Sequence, residues 1–182
     1  DWRGYWGYQF PFYYAQIAPY NYSNKDFSYL LREAQRKTLK STDKTGMAIL
    51  LDVGEKDDIH PGNKQEVGKR LALLALEKDY NCNIVSSGPL YEGHRIVDDY
   101  IEISFKSVGS GLTSKGKLKN FEIAGGNKKF SEATAKIVGN KIRVHSKQVK
   151  RPKHVRYAWE NWVQATLFNK EGLPASSFQS VY

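Results

Sequence analysis

Residues 52–61 read Asp52-Val-Gly-Glu-Lys-Asp57-Asp58-Ile-His60-Pro61. A histidine with a carboxylate two or three residues earlier has the parts of a general base. The carboxylate accepts a hydrogen bond from the ring Nδ1–H, fixes the tautomer and supports the imidazolium. Nε2 is then free to take a proton from a hydroxyl, the step that activates a serine for acyl transfer. His60 is the candidate base, and Asp57 and Asp58 are both candidates for the orienting acid. The spacing alone suits a surface loop with a helix-capping acid equally well. A metal reading of Asp58 and His60 lacks a third ligand at suitable spacing.

The flanking elements place this stretch. Residues 46–53 are a continuous apolar run, as expected of a strand buried on both faces of a parallel sheet. Asn63, with Glu66 three residues on, caps a helix whose stripe is Val67, Leu71, Leu74 and Ala75. Upstream, residues 12–18 between Pro11 and Pro19 read as a buried strand. Residues 24–40 read as a helix capped by Ser23 or Asn24, with Phe27, Leu30, Leu31 and Ala34 as its buried stripe. Strand, helix, strand, helix predicts parallel pairing with right-handed crossovers. The candidate loop then lies at the carboxyl edge of that sheet, where ligands and catalytic groups gather. Two parallel strands and two helices do not close an α/β core. Residues 1–84 therefore read as the C-terminal portion of such a domain.

Beyond Ser86-Ser87-Gly88-Pro89 the pattern changes. Tyr100–Phe105 alternates, with Ile101, Ile103 and Phe105 on one face. Leu118, Phe121 and Ile123 follow, then 135–137, 141–144 and 155–157, separated by Gly109, Gly111, Gly125-Gly126 and Gly139-Asn140. Residues 85–182 thus predict an antiparallel β-sandwich.

The chain has 182 residues, 28 Lys and Arg against 19 Asp and Glu, and a net charge of +9. Residues 85–182 contain 16 of the basic and 8 of the acidic side chains, so the excess sits in the second part. Lysines spaced by two, such as Lys115, Lys117 and Lys119, read as one solvated face of a sheet, or as a patch that attracts anions. The densest segment, 147–156, lies beside Tyr157 and Trp159. A nucleic-acid surface is the minor reading there, and a lysine-guarded sheet edge the main one. Tyr157, Trp159 and Trp162 suit a sandwich core or a sugar-stacking platform. Trp2 and Trp6 suit packing or an active-site rim. One cysteine, Cys82, excludes an intrachain disulfide. No apolar run is long enough to span a membrane as a helix.

The string Asp57-Asp-Ile-His-Pro-Gly-Asn-Lys-Gln-Glu-Val-Gly-Lys-Arg-Leu-Ala72 resembles the catalytic-histidine block of sialate O-acetylesterases, which are SGNH-type serine esterases. Further matching strings run in order along the chain. They are Asp1-Trp-Arg, Phe10-Pro-Phe-Tyr-Tyr-Ala-Gln-Ile-Ala-Pro19, Leu31-Arg-Glu-Ala-Gln35, Ser87-Gly-Pro-Leu90, Val108-Gly-Ser-Gly-Leu112, Phe121-Glu-Ile-Ala-Gly125, Val155-Arg-Tyr-Ala-Trp159 and Asn169-Lys-Glu-Gly-Leu-Pro-Ala175. The resemblance implies an SGNH (flavodoxin-like) α/β domain over 1–84, carrying His60, followed by a β-sandwich over 85–182. It implies removal of O-acetyl esters from sialic acid or another acetylated sugar, without metal or organic cofactor. It also implies a secreted, periplasmic or lysosomal setting, and no nucleic-acid or membrane partner. His60 is then the base. The wider SGNH pattern points to Asp57 as its acid, whereas the sialate string Asp-Ile-His-Pro favours Asp58. The family's nucleophilic serine and oxyanion-hole residues lie in earlier blocks, and no Gly-Asp-Ser or Gly-Gln-Ser string occurs here. The chain is expected to be inactive alone and to require the N-terminal half of the same enzyme. The alternative is a non-catalytic carbohydrate-binding sandwich.

Overall fold

A computed structural model describes residues 2–23 and 26–181. Helix α1 (Trp2–Trp6) precedes strand β1 (Phe12–Ala15), helix α2 (Ser28–Ser41), strand β2 (Thr45–Ala48) and helix α3 (Lys64–Lys78). Strands β3 (Leu90–Val97), β4 (Tyr100–Lys106), β5 (Leu112–Ser114), β6 (Phe121–Ala124), β7 (Phe130–Glu132) and β8 (Thr134–Val138) follow. The chain ends in β9 (Lys141–His145), β10 (His154–Tyr157), β11 (Leu167–Asn169) and β12 (Phe178–Gln179).

β1 and β2 pair in parallel, from Phe12 opposite Thr45 to Ala15 opposite Ala48. The strands are shorter than the apolar runs that signalled them. Past Ala48 the run continues as a buried turn, with Ile49, Leu50, Leu51 and Val53 all inside. β1 is half-buried rather than buried, because its far edge has no paired strand among the described residues.

The last strands form two antiparallel sheets, ordered β3-β4-β9-β8 and β12-β10-β6-β7, with β11 and β5 as a separate ribbon. Alternation along β4, β9, β6 and β10 sends Ile101, Ile103, Ile142, Val144, Phe121, Ile123, Val155 and Tyr157 into one core. Met47, Ile49 and Leu51 belong to the same cluster, so the core runs on into the region of β2. Lys115, Lys117 and Lys119 do not share a strand face. β5 stops at Ser114, and they lie on the loop that follows.

Helix α3 follows the sequence expectation, since Asn63 Oδ1 accepts from the Glu66 amide at 3.1 Å. Helix α2 departs from it twice. Asn24 lies outside the described residues, Ser23 bonds the Asp26 carboxylate instead, and Phe27 occupies the N-cap with no side-chain bond. The missing cap comes from the sandwich segment. Asn161 Oδ1 accepts from the Ser28 amide at 2.9 Å, and its Nδ2 donates to Asp26 O at 2.7 Å. An orphan helix amide is thereby satisfied from far away in sequence. The stripe is also inverted. Phe27, Leu30, Leu31 and Ala34 are exposed, and Ser28, Arg32, Glu33 and Arg36 are buried. The sandwich offers this helix serine hydroxyls and backbone carbonyls, which suit guanidinium groups and not leucines.

Candidate active site

The loop from Asp52 to Gly62 is fixed at several points. Arg70 on α3 is buried, and it grips Asp52 with two hydrogen bonds of 2.6 and 2.8 Å. The same guanidinium donates to Ile49 O at 2.6 Å and to Glu66 at 3.2 Å. A bidentate arginine–carboxylate pair is both strong and directional. It ties the end of the apolar run to α3, whose first turn follows His60. Gly54 packs on Pro19 so closely that a Cβ there would lie 2.2 Å from the Pro19 carbonyl oxygen. Only glycine fits this approach. Lys56 O accepts from the Asn21 amide at 3.1 Å, and Glu55 Oε1 accepts from the Gly62 amide at 2.7 Å. The Glu55–Gly62 bond closes the loop around the three candidate residues.

Asp57, Asp58 and His60 are all exposed on this loop. Asp58 Oδ1 accepts from the backbone N–H of His60 at 2.7 Å. That bond ties Asp58 to the loop backbone and not to the His60 ring, and Oδ2 takes no hydrogen bond among the described residues. The His60 ring and the Asp57 carboxylate likewise take no hydrogen bond among them. Among the described residues no group of three or more His, Cys, Asp or Glu side chains is placed to hold a metal ion.

Beside the start of the loop opens a cleft of about 650 Å³, lined among others by Asp52, Gly54, Lys115, Lys119, Trp162 and Phe168. Trp162 is half-buried there. Tyr157 and Trp159 are buried in the core, and Tyr157 Oη accepts from the Thr166 and Leu167 amides at 3.0 and 3.1 Å. Neither ring is available for stacking a sugar or a base, so the aromatic platform reduces to Trp162. Trp2 and Trp6 stand largely exposed near β1.

The sequence reading missed the devices that hold the loop. Arg70 and Glu66 are spaced for a helical pair, a weak signal of their role. The Glu55–Gly62 closure has no signal of its own.

No protein-family model matches the chain, and no curated protein matches it. Among solved structures it is similar to a carbohydrate acetylesterase from Xanthomonas citri. The two are 36% identical with a TM-score of 0.91 over 99% of this chain. The chain spans 43% of that enzyme's length. The likeness takes in the parallel pair, both long helices and the sandwich.

Proposed function

We propose that this chain is the histidine-bearing portion of a carbohydrate O-acetyl ester hydrolase of the SGNH type, with O-acetylated sialic acid as its substrate. The observation that carries this reading is the 36% identity, along nearly the whole chain, to a carbohydrate acetylesterase. The resemblance of the His60 block to sialate O-acetylesterases supplies the finer substrate. The nucleophilic serine and the oxyanion hole lie in a part of the enzyme outside these 182 residues.

In the proposed reaction His60 Nε2 takes the proton of the serine hydroxyl as its oxygen attacks the acetyl carbonyl. The tetrahedral intermediate collapses, and the imidazolium gives that proton to the departing sugar oxygen. Water, deprotonated by the same nitrogen, then attacks the acetyl-enzyme and releases acetate and the serine. Asp58 is the orienting acid. One of its oxygens is anchored by the His60 amide, and the other remains for Nδ1–H. Asp57 has no such anchor. The inverted helix α2 fits the same reading, because its exposed stripe of Phe27, Leu30 and Leu31 would pack on the serine-bearing portion.

The test is to express the chain with the coding sequence upstream of Asp1 and follow acetate release from O-acetylsialic acid. Activity should appear, fall by at least about 10³-fold in His60→Ala, and be missing from the 182-residue chain alone. Release from acetylated xylan but not from O-acetylsialic acid would remove the sialate assignment and keep the esterase. Steady hydrolysis by the 182-residue chain, lost in His60→Ala, would overturn the outside nucleophile.

A further inference from the structure

The cations of the sandwich divide into two populations. Glu102 gathers Arg95, Lys141 and Arg143, and Glu122 holds Arg156. Lys128, Lys129, Lys150, Arg151 and Lys153 form no ion pair among the described residues, and neither do Lys115, Lys117, Lys119, Lys136, Lys147 and Lys170. Three of the first group, Lys129, Lys150 and Arg151, line one groove. The turn between β6 and β7 abuts the segment between β9 and β10. There Lys153 N–H donates to Ala124 O at 2.8 Å, and a Cβ on Gly125 would lie 3.3 Å from Arg151 O. Between the two loops runs an open groove of about 510 Å³. Its polar lining includes Lys129, Lys150, Arg151, Asn127, Ser131 and Gln148, with no acidic residue. No residue of the His60 loop lines it.

We propose that this groove is a second binding site, for a carboxylate-bearing polysaccharide chain. The proposal rests on the carbohydrate esterase reading for its choice of polymer. Lysine and arginine side chains attract carboxylates, and the Asn127 and Gln148 amides and the Ser131 hydroxyl suit sugar hydroxyls. β7 is the edge strand of its sheet, so an extended polymer can lie along the groove and continue past it. A single-stranded nucleic acid fits less well, since base recognition of this kind uses exposed aromatic rings. Phe130, the ring at this turn, is half-buried with the Arg156 guanidinium 4.2 Å from its centroid. A groove apart from the catalytic loop would keep the enzyme on its polymer while successive esters are removed, through raised effective concentration.

Binding of the 182-residue chain to polysialic acid, to de-esterified polygalacturonate and to neutral dextran tests this by titration calorimetry at low and physiological salt. Both acidic polymers should bind and dextran should not. Affinity should fall as salt screens the groove. The triple variant Lys129→Glu, Lys150→Glu, Arg151→Glu should bind at least about tenfold more weakly. A control with the same charge change on exposed lysines elsewhere, Lys40→Glu, Lys78→Glu, Lys136→Glu, should lose less than about twofold. Binding to only one of the two acidic polymers would still support the groove and would name its sugar. Equal losses in both triple variants would reduce the effect to net charge and overturn the site. So would a single-stranded oligonucleotide binding as tightly as either polymer, or no binding at low salt. No ester is cleaved in this assay, so failure of the groove leaves acetate release intact, and failure of the esterase reading leaves groove binding intact.

Discussion

In the sandwich, Ile101, Ile103, Phe121, Val144 and Phe178 are fully enclosed while Lys128, Lys129 and Lys150 stand in water. In the region of β1, α2 and α3, Arg32, Arg36 and Arg70 are enclosed while Trp6, Leu30 and Leu31 stand in water. The first arrangement is that of a finished core. The second is that of a layer with one face in contact and an apolar stripe left in water, where it gains no stability from burial. The contacting face carries a dense set of hydrogen bonds beside its apolar packing. Arg36 pairs with Glu33 at 2.7 Å and Arg70 with Asp52 at 2.6 Å. Arg32 has no carboxylate partner among the described residues. Its guanidinium donates to Ser177 Oγ and Ser28 Oγ, both at 3.2 Å, and to the carbonyls of Ala158 and Glu160. Burial lowers its pKa to about 10. Such an arrangement is directional, so it sets α2 in one register on the sandwich.

The largest effect expected lies in the loop between β2 and α3. In the proposed esterase, Asp58→Asn should lower kcat by about 10⁴-fold, as loss of an orienting acid does, and Asp57→Asn by less than about tenfold. Steady-state kinetics decide between them. The reverse ranking would transfer the role to Asp57 and leave Asp58 as a loop anchor.

Next in size is the contrast between the two cores. Ile103→Ala, at a site with 0% exposure, should cost about 2–5 kcal/mol in denaturant unfolding of the 182-residue chain. Leu31→Ala, at 49% exposure, should fall within about 0.5 kcal/mol in the same chain. If the proposed serine-bearing portion covers the stripe, the Leu31 variant joined to it should lose more than about 1 kcal/mol. Equal costs for Ile103→Ala and Leu31→Ala in the 182-residue chain would break the comparison. Asn161→Ala, which strips α2 of its distant cap, should cost about 1 kcal/mol in that chain.

Much of the sandwich was legible where its strands alternate; β3, the longest strand, alternates irregularly around a bulge at Tyr91/Gly93 and was not seen. β4, β6, β8, β9 and β10 announce themselves in this way. β7, β11 and β12 are two or three residues long and carry too few alternations to be seen. The stripe of α2 was legible as a helix and misleading as to burial, because periodicity reports that a face needs cover and not which surface supplies it. Arg32 and Asn161 show the same limit. Nothing local marks a buried arginine or a cap that arrives from 133 residues away. At the candidate site, His60, Asp57 and Asp58 were visible by type and spacing. The Asx-type bond from Asp58 to the His60 amide follows from the two-residue separation, since a short carboxylate readily reaches the amide two residues on.

The smallest effect concerns the charge-rich face of the sandwich. Glu102 has an enclosed side chain that accepts from Lys141 and Arg95 at 2.8 Å and from Arg143 at 3.1 Å. The Lys141 bond leads in holding its carboxyl down at about 2 from an ordinary 4.5. Because the folded-state pKa is depressed, the carboxylate contributes stability fully above about 4.5, and that contribution fades as the pH falls toward 2. The cations around it remain partly in water, which screens the interaction and keeps it modest. Glu102→Gln should therefore lower stability at neutral pH, and the gap to the unaltered chain should close progressively between pH 4.5 and 2. Thermal unfolding followed across that range reads it directly. A gap that stays constant with pH would mean that the glutamine disturbs packing, not that the carboxylate holds the three cations.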